Sequence, residues 1–317
     1  FYMLVMNNDS SISVVDPILG VSGITQLYGM IMLKDRGEDW AMGHNEKYLY
    51  VSMPRSKMVA VVDLETFKVI KNIEAGDNPT RLAMQADGRY LWVGNNSKEA
   101  DLTGVTVIDT QKFEVVKFIP TGPGHHELAF SEDSRTAYVT SSGSSQLIIL
   151  DTQNLTKIKT IEVGERPIAV TFSKLSQAVY VASEEEGRIS VIDAASHRVI
   201  KQIATAPGLI ALRFAPGDRW GFAVNLKQDS VQVIDASDNS ITHNFKVGKQ
   251  PHQVSFTASY AYIRSLGASE MQLILLSQLD KMTSFDPQTV PLGNRPPNEY
   301  PYLAVADAIS ATGEWDT

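Results

Sequence analysis

The chain has 317 residues, of which 43% are hydrophobic, and a formal net charge of −8 at pH 7. The absence of cysteine excludes disulfides, thiolate metal sites and thiol catalysis, and no basic cluster suggests a nucleic-acid surface. No apolar run approaches the roughly 18 residues that a transmembrane helix needs. This composition is compatible with an oxidising compartment.

A short apolar strand that ends in Asp recurs along the chain. Successive copies are separated by 47, 46, 42, 42 and 42 residues, and they end at Asp16, Asp63, Asp109, Asp151, Asp193 and Asp235. Each copy follows another apolar strand, which most often ends in Asn or Ser. Each copy also precedes a further strand, which is closed by Gly in most repeats. Four short strands per period of about 42 residues predict an all-β fold, a seven-bladed β-propeller of four-stranded antiparallel blades.

The repeat spans most of the chain, so we predict one β-propeller domain over residues 1–317. An irregular Pro-rich insertion at about 277–301 is expected to form a surface connection. In the last blade, residues 302–309 are expected to supply the innermost strand and residues 1 to about 33 the other three. Both termini would then close that blade and remove a free sheet edge. The alternative is that residues 1–317 are a piece of a longer polypeptide.

The repeats resemble those of the YVTN-repeat β-propellers. The strand with its polar end appears as Trp92-Val93-Gly94-Asn95 and Tyr138-Val139-Thr140-Ser141, and the Gly-x-x-Pro junction appears at Gly76–Pro79 and Gly248–Pro251. The resemblance implies the propeller fold and ligand binding on its top face, where the junctions lie. It implies little about the ligand, because members of the family bind many things.

A more distant similarity is to the haem d1-binding propeller of cytochrome-type nitrite reductases, which places His residues over the central channel. The matching feature is one junction position, occupied in successive repeats by Thr80, His126, Ile168, Ile210 and His252. His126 and His252 are expected to face each other across the channel mouth with little core burial. They are candidate haem or metal ligands, because neutral His is the commonest metal ligand. The alternative is that each hydrogen-bonds to a neighbouring blade.

Charged residues near the same face form a second candidate set. Arg55, Arg81, His125 and Glu127 are predicted to contribute to top-face binding. Arg264 stands where other repeats carry small or apolar residues, so it is a candidate for contacting a cofactor or an anionic ligand. It could instead be buried in an ion pair with Glu299 or Asp307. The acidic loop Glu184–Glu186 could hold a cation, meet a basic partner or form a solvated turn.

Other polar residues are expected to be structural. The strand-end Asp residues recur in every repeat, and a short carboxylate can cap the turn that follows. His44, His197 and His243 are expected at the solvent-exposed surface.

No nucleophile–base pair, phosphate loop or zinc-protease motif is present. The sequence therefore favours a periplasmic or extracellular propeller that binds a protein partner or small ligand without catalysing a reaction. It requires no cofactor and predicts no nucleic-acid partner and no membrane span. The alternative is a redox or cofactor-handling protein that binds haem or a metal through His126 and His252.

Overall fold

The computed structural model describes residues 2–16, 26–282, 284–291, 308–309 and 315–316. The chain divides into two compact units, residues 1–126 with 300–317, and residues 127–299.

The first unit contains three antiparallel sheets. Its strands are β1 (Met3–Met6), β2 (Ser11–Asp16), β3 (Gln26–Met32), β4 (Trp40–Met42), β5 (Tyr48–Met53), β6 (Met58–Asp63), β7 (Lys68–Glu74), β8 (Pro79–Met84), β9 (Tyr90–Asn95), β10 (Gly104–Asp109), β11 (Glu114–Pro120), β28 (Ala308–Ile309) and β29 (Trp315–Asp316). Sheet 1 has the order β29-β28-β1-β2-β3, sheet 2 contains β4 to β7, and sheet 3 contains β8 to β11. A 3-10 helix, Ala100–Leu102, lies in the loop between β9 and β10.

The second unit contains four antiparallel sheets of four strands. Its strands are β12 (Leu128–Phe130), β13 (Thr136–Ser141), β14 (Gln146–Asp151), β15 (Thr156–Glu162), β16 (Pro167–Ser173), β17 (Ala178–Ser183), β18 (Arg188–Asp193), β19 (Arg198–Ala204), β20 (Leu209–Phe214), β21 (Trp220–Asn225), β22 (Ser230–Asp235), β23 (Ser240–Lys246), β24 (Pro251–Phe256), β25 (Tyr260–Ser265), β26 (Glu270–Leu275) and β27 (Gln288–Pro291). Sheets 4, 5, 6 and 7 each take four consecutive strands in chain order.

The seven sheets confirm the predicted all-β, seven-bladed β-propeller fold. The only helices of the described residues are short 3-10 turns. In sheets 3, 5 and 6 the second strand is the most buried: every residue of β9, β17 and β21 is buried. Both faces of such a strand are covered by packed side chains, so it reads in the sequence as a continuous apolar run rather than an alternating one.

Sheet 1 contains strands from both ends of the chain. Met3 in β1 pairs with Ala308 in β28, as the predicted sharing of one blade requires. Residues 302–307 of the predicted innermost strand lie outside the described residues. The sequence prediction missed β27, which lies within the segment 277–301 and pairs with β26 as the fourth strand of sheet 7. Its short run, Gln-Thr-Val-Pro, has too little apolar alternation to stand out from the Pro-rich sequence around it.

Two equivalent tyrosines of second strands in the second unit differ in what their hydroxyl groups contact. The Tyr180 hydroxyl in sheet 5 contacts Asn239 of sheet 6 and Ser176 Oγ, the latter at 3.0 Å. Tyr138, one repeat earlier, has a buried hydroxyl that lacks a well-formed hydrogen bond. Burial raises the pKa of Tyr138 to about 12.

These two tyrosines should therefore respond differently to loss of the hydroxyl. Tyr180→Phe is expected to lower the free energy of unfolding by about 1 kcal/mol, because a hydrogen-bonded hydroxyl is lost. Tyr138→Phe should be neutral or stabilising, because it removes an unsatisfied buried polar group. Urea denaturation of both variants measures the difference, and equal losses would contradict this account.

Candidate functional site

Each candidate residue lies at or near the same end of its own sheet. The chain enters each first strand through a junction loop, and the loop between the second and third strands lies at that same end, because antiparallel strands alternate in direction. We call this the junction end. The opposite end, which carries the turns after the strand-end Asp residues, is the turn end.

A buried polar side chain at the end of β9 fixes the junction backbone of sheet 3. Asn95 Nδ2 donates hydrogen bonds to the carbonyl oxygens of Ala75 and Asp77 at 2.8 and 3.0 Å. Thr106 Oγ1 donates to Asn95 Oδ1 at 2.7 Å, so the amide is saturated on both sides. Every partner is a buried or half-buried group, and such bonds hold a loop in one conformation.

The same arrangement recurs in the second unit. Asn225 Nδ2 donates to the Ala206 carbonyl at 2.8 Å. Ser183 Oγ donates to the Val163 carbonyl at 2.8 Å. The polar residue that ends the YVTN-like strand is therefore structural. Its hydrogen bonds hold the junction loops in fixed conformations before any partner binds.

His252 lies at a β-bulge. Pro251 pairs with Ser265 and Gln253 with Arg264, which leaves His252 as the extra residue of β24, and its side chain is exposed. Thr80, Ile168 and Ile210 are the extra residues of equivalent bulges. The junction position found in the sequence is thus a bulge position, and bulges commonly redirect a side chain.

His126 occupies the same repeat position but a different environment, and the prediction of little core burial is wrong for it. Its side chain is 0% exposed. It precedes β12 and follows Gly122 and Gly124, whose φ values of +93° and +95° favour glycine. A Cβ at Gly94 would lie 3.2 Å from His126 Cβ, so the absence of a side chain on β9 lets the histidine pack there.

One ring nitrogen of His126 makes a hydrogen bond and the other does not. Nε2 lies 3.1 Å from the Gly122 carbonyl oxygen, which can only accept, so Nε2 carries the proton. Nδ1 is buried without a hydrogen-bond partner among the described residues. Burial lowers the pKa of His126 to about 4, so the ring is neutral at pH 7.

This geometry does not fit the proposed cofactor role at His126. An enclosed ring is not presented to a haem or a metal ion from outside, whereas the exposed His252 is accessible. In the described part of the chain, no three His, Asp or Glu side chains come together as a metal centre would require. His126 lies in the first unit and His252 in the second, and their joint action as ligands stays a prediction.

Two arginines lie at the junction end of the first unit. Arg55 is exposed in the loop between β5 and β6. Arg81 Nη1 lies 4.0 Å from Asp39 Oδ1. The other carboxylate oxygen of Asp39 accepts the Leu82 N–H at 2.8 Å, so Asp39 links sheet 2 to sheet 3. Asp39 is not among the residues predicted from the sequence, although it stands one repeat of 42 residues before Arg81.

The other predicted binding residues are half-buried. The Glu127 N–H donates to Thr140 Oγ1 at 2.9 Å, and His125 lies two residues before it. Arg264 in β25 stands opposite Gln253 and Met271. Its suggested partners Glu299 and Asp307 lie outside the described residues.

Two arginines of the same unit pair with the three carboxylates of the acidic loop and offset most of its charge. Arg166 Nε lies 3.2 Å from Glu184 Oε2 and its Nη1 lies 3.6 Å from Glu185 Oε1. Arg188 Nε lies 2.7 Å from Glu186 Oε2. These ion pairs leave the loop with little charge to attract a cation or a basic partner.

The strand-end Asp residues whose following turns are described are structural, as predicted. Asp63 Oδ1 accepts the N–H groups of Glu65 and Thr66 at 3.1 and 2.8 Å, and Asp151 Oδ1 accepts those of Gln153 and Asn154, both at 2.8 Å. Each carboxylate therefore caps the turn that follows its strand.

The prediction of three surface histidines is partly wrong. His44 is exposed and His197 is half-buried in a turn, but His243 is only 6% exposed. Its Nε2 donates to the Met282 carbonyl at 2.7 Å, and its ring stacks on Phe245 at 5.5 Å. Alternation along β23 places His243 and Phe245 on one face, and Phe285 covers that face at 5.9 Å from the His243 ring.

The repeated sheets and their fixed junction loops define the chain as a β-propeller of the kind built from short, self-similar blades. It belongs to the YNCE-like β-propeller family, whose profile matches residues 38–217. No curated protein matches the chain. Among the described residues, no helix has the length and apolar character that crossing a membrane demands.

Several solved structures share the fold. Hydrazine synthase from Kuenenia stuttgartiensis is 20% identical, with a TM-score of 0.65 over 77% of each chain. The dihydro-heme d1 dehydrogenase NirN is 16% identical, with a TM-score of 0.58 over 92% of this chain and 72% of its own. A functionally unknown protein from Desulfotomaculum acetoxidans is 12% identical, with a TM-score of 0.70 over 87% of this chain and 92% of its own. At these identities the likeness shows the fold alone.

Proposed function

We propose that this protein is a non-catalytic binding propeller that contacts a protein partner or ligand through its junction end, in the periplasm or outside the cell. The observation that carries this proposal is the contrast between the two ends of the sheets. At the turn end, the repeated carboxylates accept hydrogen bonds from the backbone of the turns that follow them. At the junction end, buried Asn and Ser side chains hold the loops, and the exposed Arg55 has no partner among the described residues.

Preformed loops favour binding because little conformational entropy is lost when a partner docks. In the first unit, such a loop offers the guanidinium group of Arg55, and Arg81 lies near the start of β8 at the same end. Guanidinium is the side-chain group best suited to paired hydrogen bonds with carboxylate or phosphate. We therefore expect the partner to present an anionic group to this part of the junction end.

Site-specific photo-crosslinking in the source organism tests this proposal. A photoreactive residue at Arg55 is expected to capture one discrete species. The matched control places the same residue at Gln111, which is exposed at the turn end of the same unit and should capture nothing specific. Identical patterns from both positions, or none from Arg55, would contradict the proposal, and fractionation of the same cells tests the location.

The cofactor alternative is supported only by the accessible His252 and by the fold that the chain shares with NirN. An absorption spectrum and a metal analysis of protein purified from its source distinguish the two functions. A haem absorption band, or one metal per chain that is lost in His252→Ala and kept in His44→Ala, would favour the alternative.

A further inference from the structure

The junction before sheet 2 departs from the pattern of the other junctions. Gly-x-x-Pro precedes sheets 3, 5 and 7, whereas the same four positions before sheet 2 are Lys34-Asp35-Arg36-Gly37. The third junction residue has a positive φ in sheets 3 to 7, where it is Asn78, Gly124, Arg166, Gly208 and Gln250. The φ of Arg36 does not lie in that region. The loop before sheet 2 therefore follows a different path from its equivalents.

Two hydrogen bonds that fix other junctions cannot form in this one. The first comes from the buried Asn or Ser that ends the second strand, and sheet 2 carries Met53 at that place. The second runs from the next backbone N–H to the carbonyl of the positive-φ residue, as from Glu184 to Arg166 at 3.0 Å. Pro54 occupies the donor position in sheet 2 and has no N–H. With fewer bonds to hold it, this loop can adjust around a ligand.

Sheet 5 shows what side chains at these positions can reach. There the third junction residue, Arg166, places its Nη1 3.6 Å from Oε1 of Glu185 in the loop between the second and third strands. That loop has the same length in sheet 2, where the two equivalent residues are Arg36 and Arg55. Sheet 2 thus carries a second guanidinium group at the place where sheet 5 carries the carboxylate of an ion pair.

The positive charge of Arg36 is not compensated within the described part of the chain. Arg36 makes no ion pair there, and its Nε is buried without a hydrogen-bond partner. Of the neighbouring carboxylates, those of Asp35 and Asp39 accept backbone N–H groups, and that of Glu38 is exposed to solvent. A buried guanidinium nitrogen without a partner is costly, and the like charge of Arg55 adds to that cost. An anionic group from outside would relieve both.

We propose that Arg36 and Arg55 together bind one oxyanion group of the ligand, a carboxylate or a phosphate monoester. This inference rests on the proposed function, and it adds the class of the ligand group and Arg36, which is not among the residues predicted from the sequence. A guanidinium group can offer Nε and one Nη to two oxygens of the same group. Because Nε of Arg36 is enclosed in the free protein, the loop at residues 34–37 shifts to admit the ligand. The net charge of −8 disfavours a polyanionic chain, so a single group is expected.

Isothermal titration calorimetry of the full chain with inorganic phosphate, and separately with succinate, tests this site at constant ionic strength. The wild-type protein is expected to bind at least one of the two saturably, and the comparison shows whether the site favours phosphate or carboxylate. Arg36→Gln should raise the dissociation constant at least about tenfold, because a charged hydrogen-bond donor is lost. The matched control is Arg166→Gln, at the same repeat position of sheet 5, which should leave binding unchanged because that guanidinium group is already paired with carboxylates.

A second variant separates loss of the site from loss of the fold. Arg55→Glu recreates in sheet 2 the ion pair of sheet 5, so it should abolish oxyanion binding while thermal denaturation shows no loss of stability. Absence of binding by the wild type, or binding that survives Arg36→Gln or Arg55→Glu, overturns the site. These two results leave the proposed function intact wherever photo-crosslinking still captures a partner at the junction end. Oxyanion binding that depends on both arginines, without any such capture, supports the site and contradicts the proposed function alone.

Discussion

Replacing Asn95 with alanine is expected to lower the free energy of unfolding by about 2–4 kcal/mol. The side chain is fully buried and donates to two junction carbonyls while accepting from Thr106. Alanine would leave these three groups without their partner in a site that water does not reach. The cost of an unsatisfied buried polar group exceeds the value of the hydrogen bond itself.

Asn96→Ala is the matched control, because it makes the same chemical change one residue away. The Asn96 backbone bonds with Asn78 through its N–H and its carbonyl, and neither bond depends on the Asn96 side chain. We expect a loss within about 0.5 kcal/mol, as for surface substitutions. Urea denaturation measures both variants, and similar losses would show that Asn95 does not hold the junction.

Lowering the pH from 7 to 4 is expected to destabilise the protein by up to about 3 kcal/mol through His126. Burial lowers the pKa of His126 from 6.5 to about 4 in the folded state. Below pH 6.5 the unfolded chain takes up a proton at this histidine that the folded protein does not. The free energy of unfolding therefore falls as the pH decreases from 6.5 to 4.

The capping carboxylates lose their stabilising effect at a lower pH than the one at which His126 acts. Hydrogen bonds from Thr66 hold the pKa of Asp63 below its ordinary value of 3.8, and those from Asn154 do the same for the pKa of Asp151. Their stabilisation is present above pH 3.8 and is lost only as the pH falls towards their folded-state pKa. These two carboxylates therefore contribute little between pH 6.5 and 4, where the histidines titrate, although burial raises the pKa of Asp218 towards this range.

A glutamine variant isolates the contribution of His126. His126→Gln keeps an N–H donor and removes the titrating group, so its stability should depend less on pH between 6.5 and 4 than that of the wild type. Some dependence should remain, because burial also lowers the pKa of His197. His44→Gln, at an exposed histidine, should keep the wild-type slope. An unchanged slope in His126→Gln would refute the assignment.

The sequence by itself determined the repeat architecture. The period of about 42 residues, the continuous apolar run of each second strand and the Asp that ends each third strand are local properties, so they can be read from residue order. The capping role of Asp63 and Asp151 also follows from local chemistry, because a carboxylate reaches backbone N–H groups two or three residues ahead.

Only the tertiary structure decided which of the equivalent residues are accessible. His126 and His252 occupy one repeat position, yet Gly94 on a separate strand allows the first to be buried while a bulge leaves the second exposed. His243 is buried because Phe285, distant in sequence, covers it. Burial depends on which residues the fold brings against a side chain, and the repeat pattern specifies the position of that side chain without specifying those neighbours.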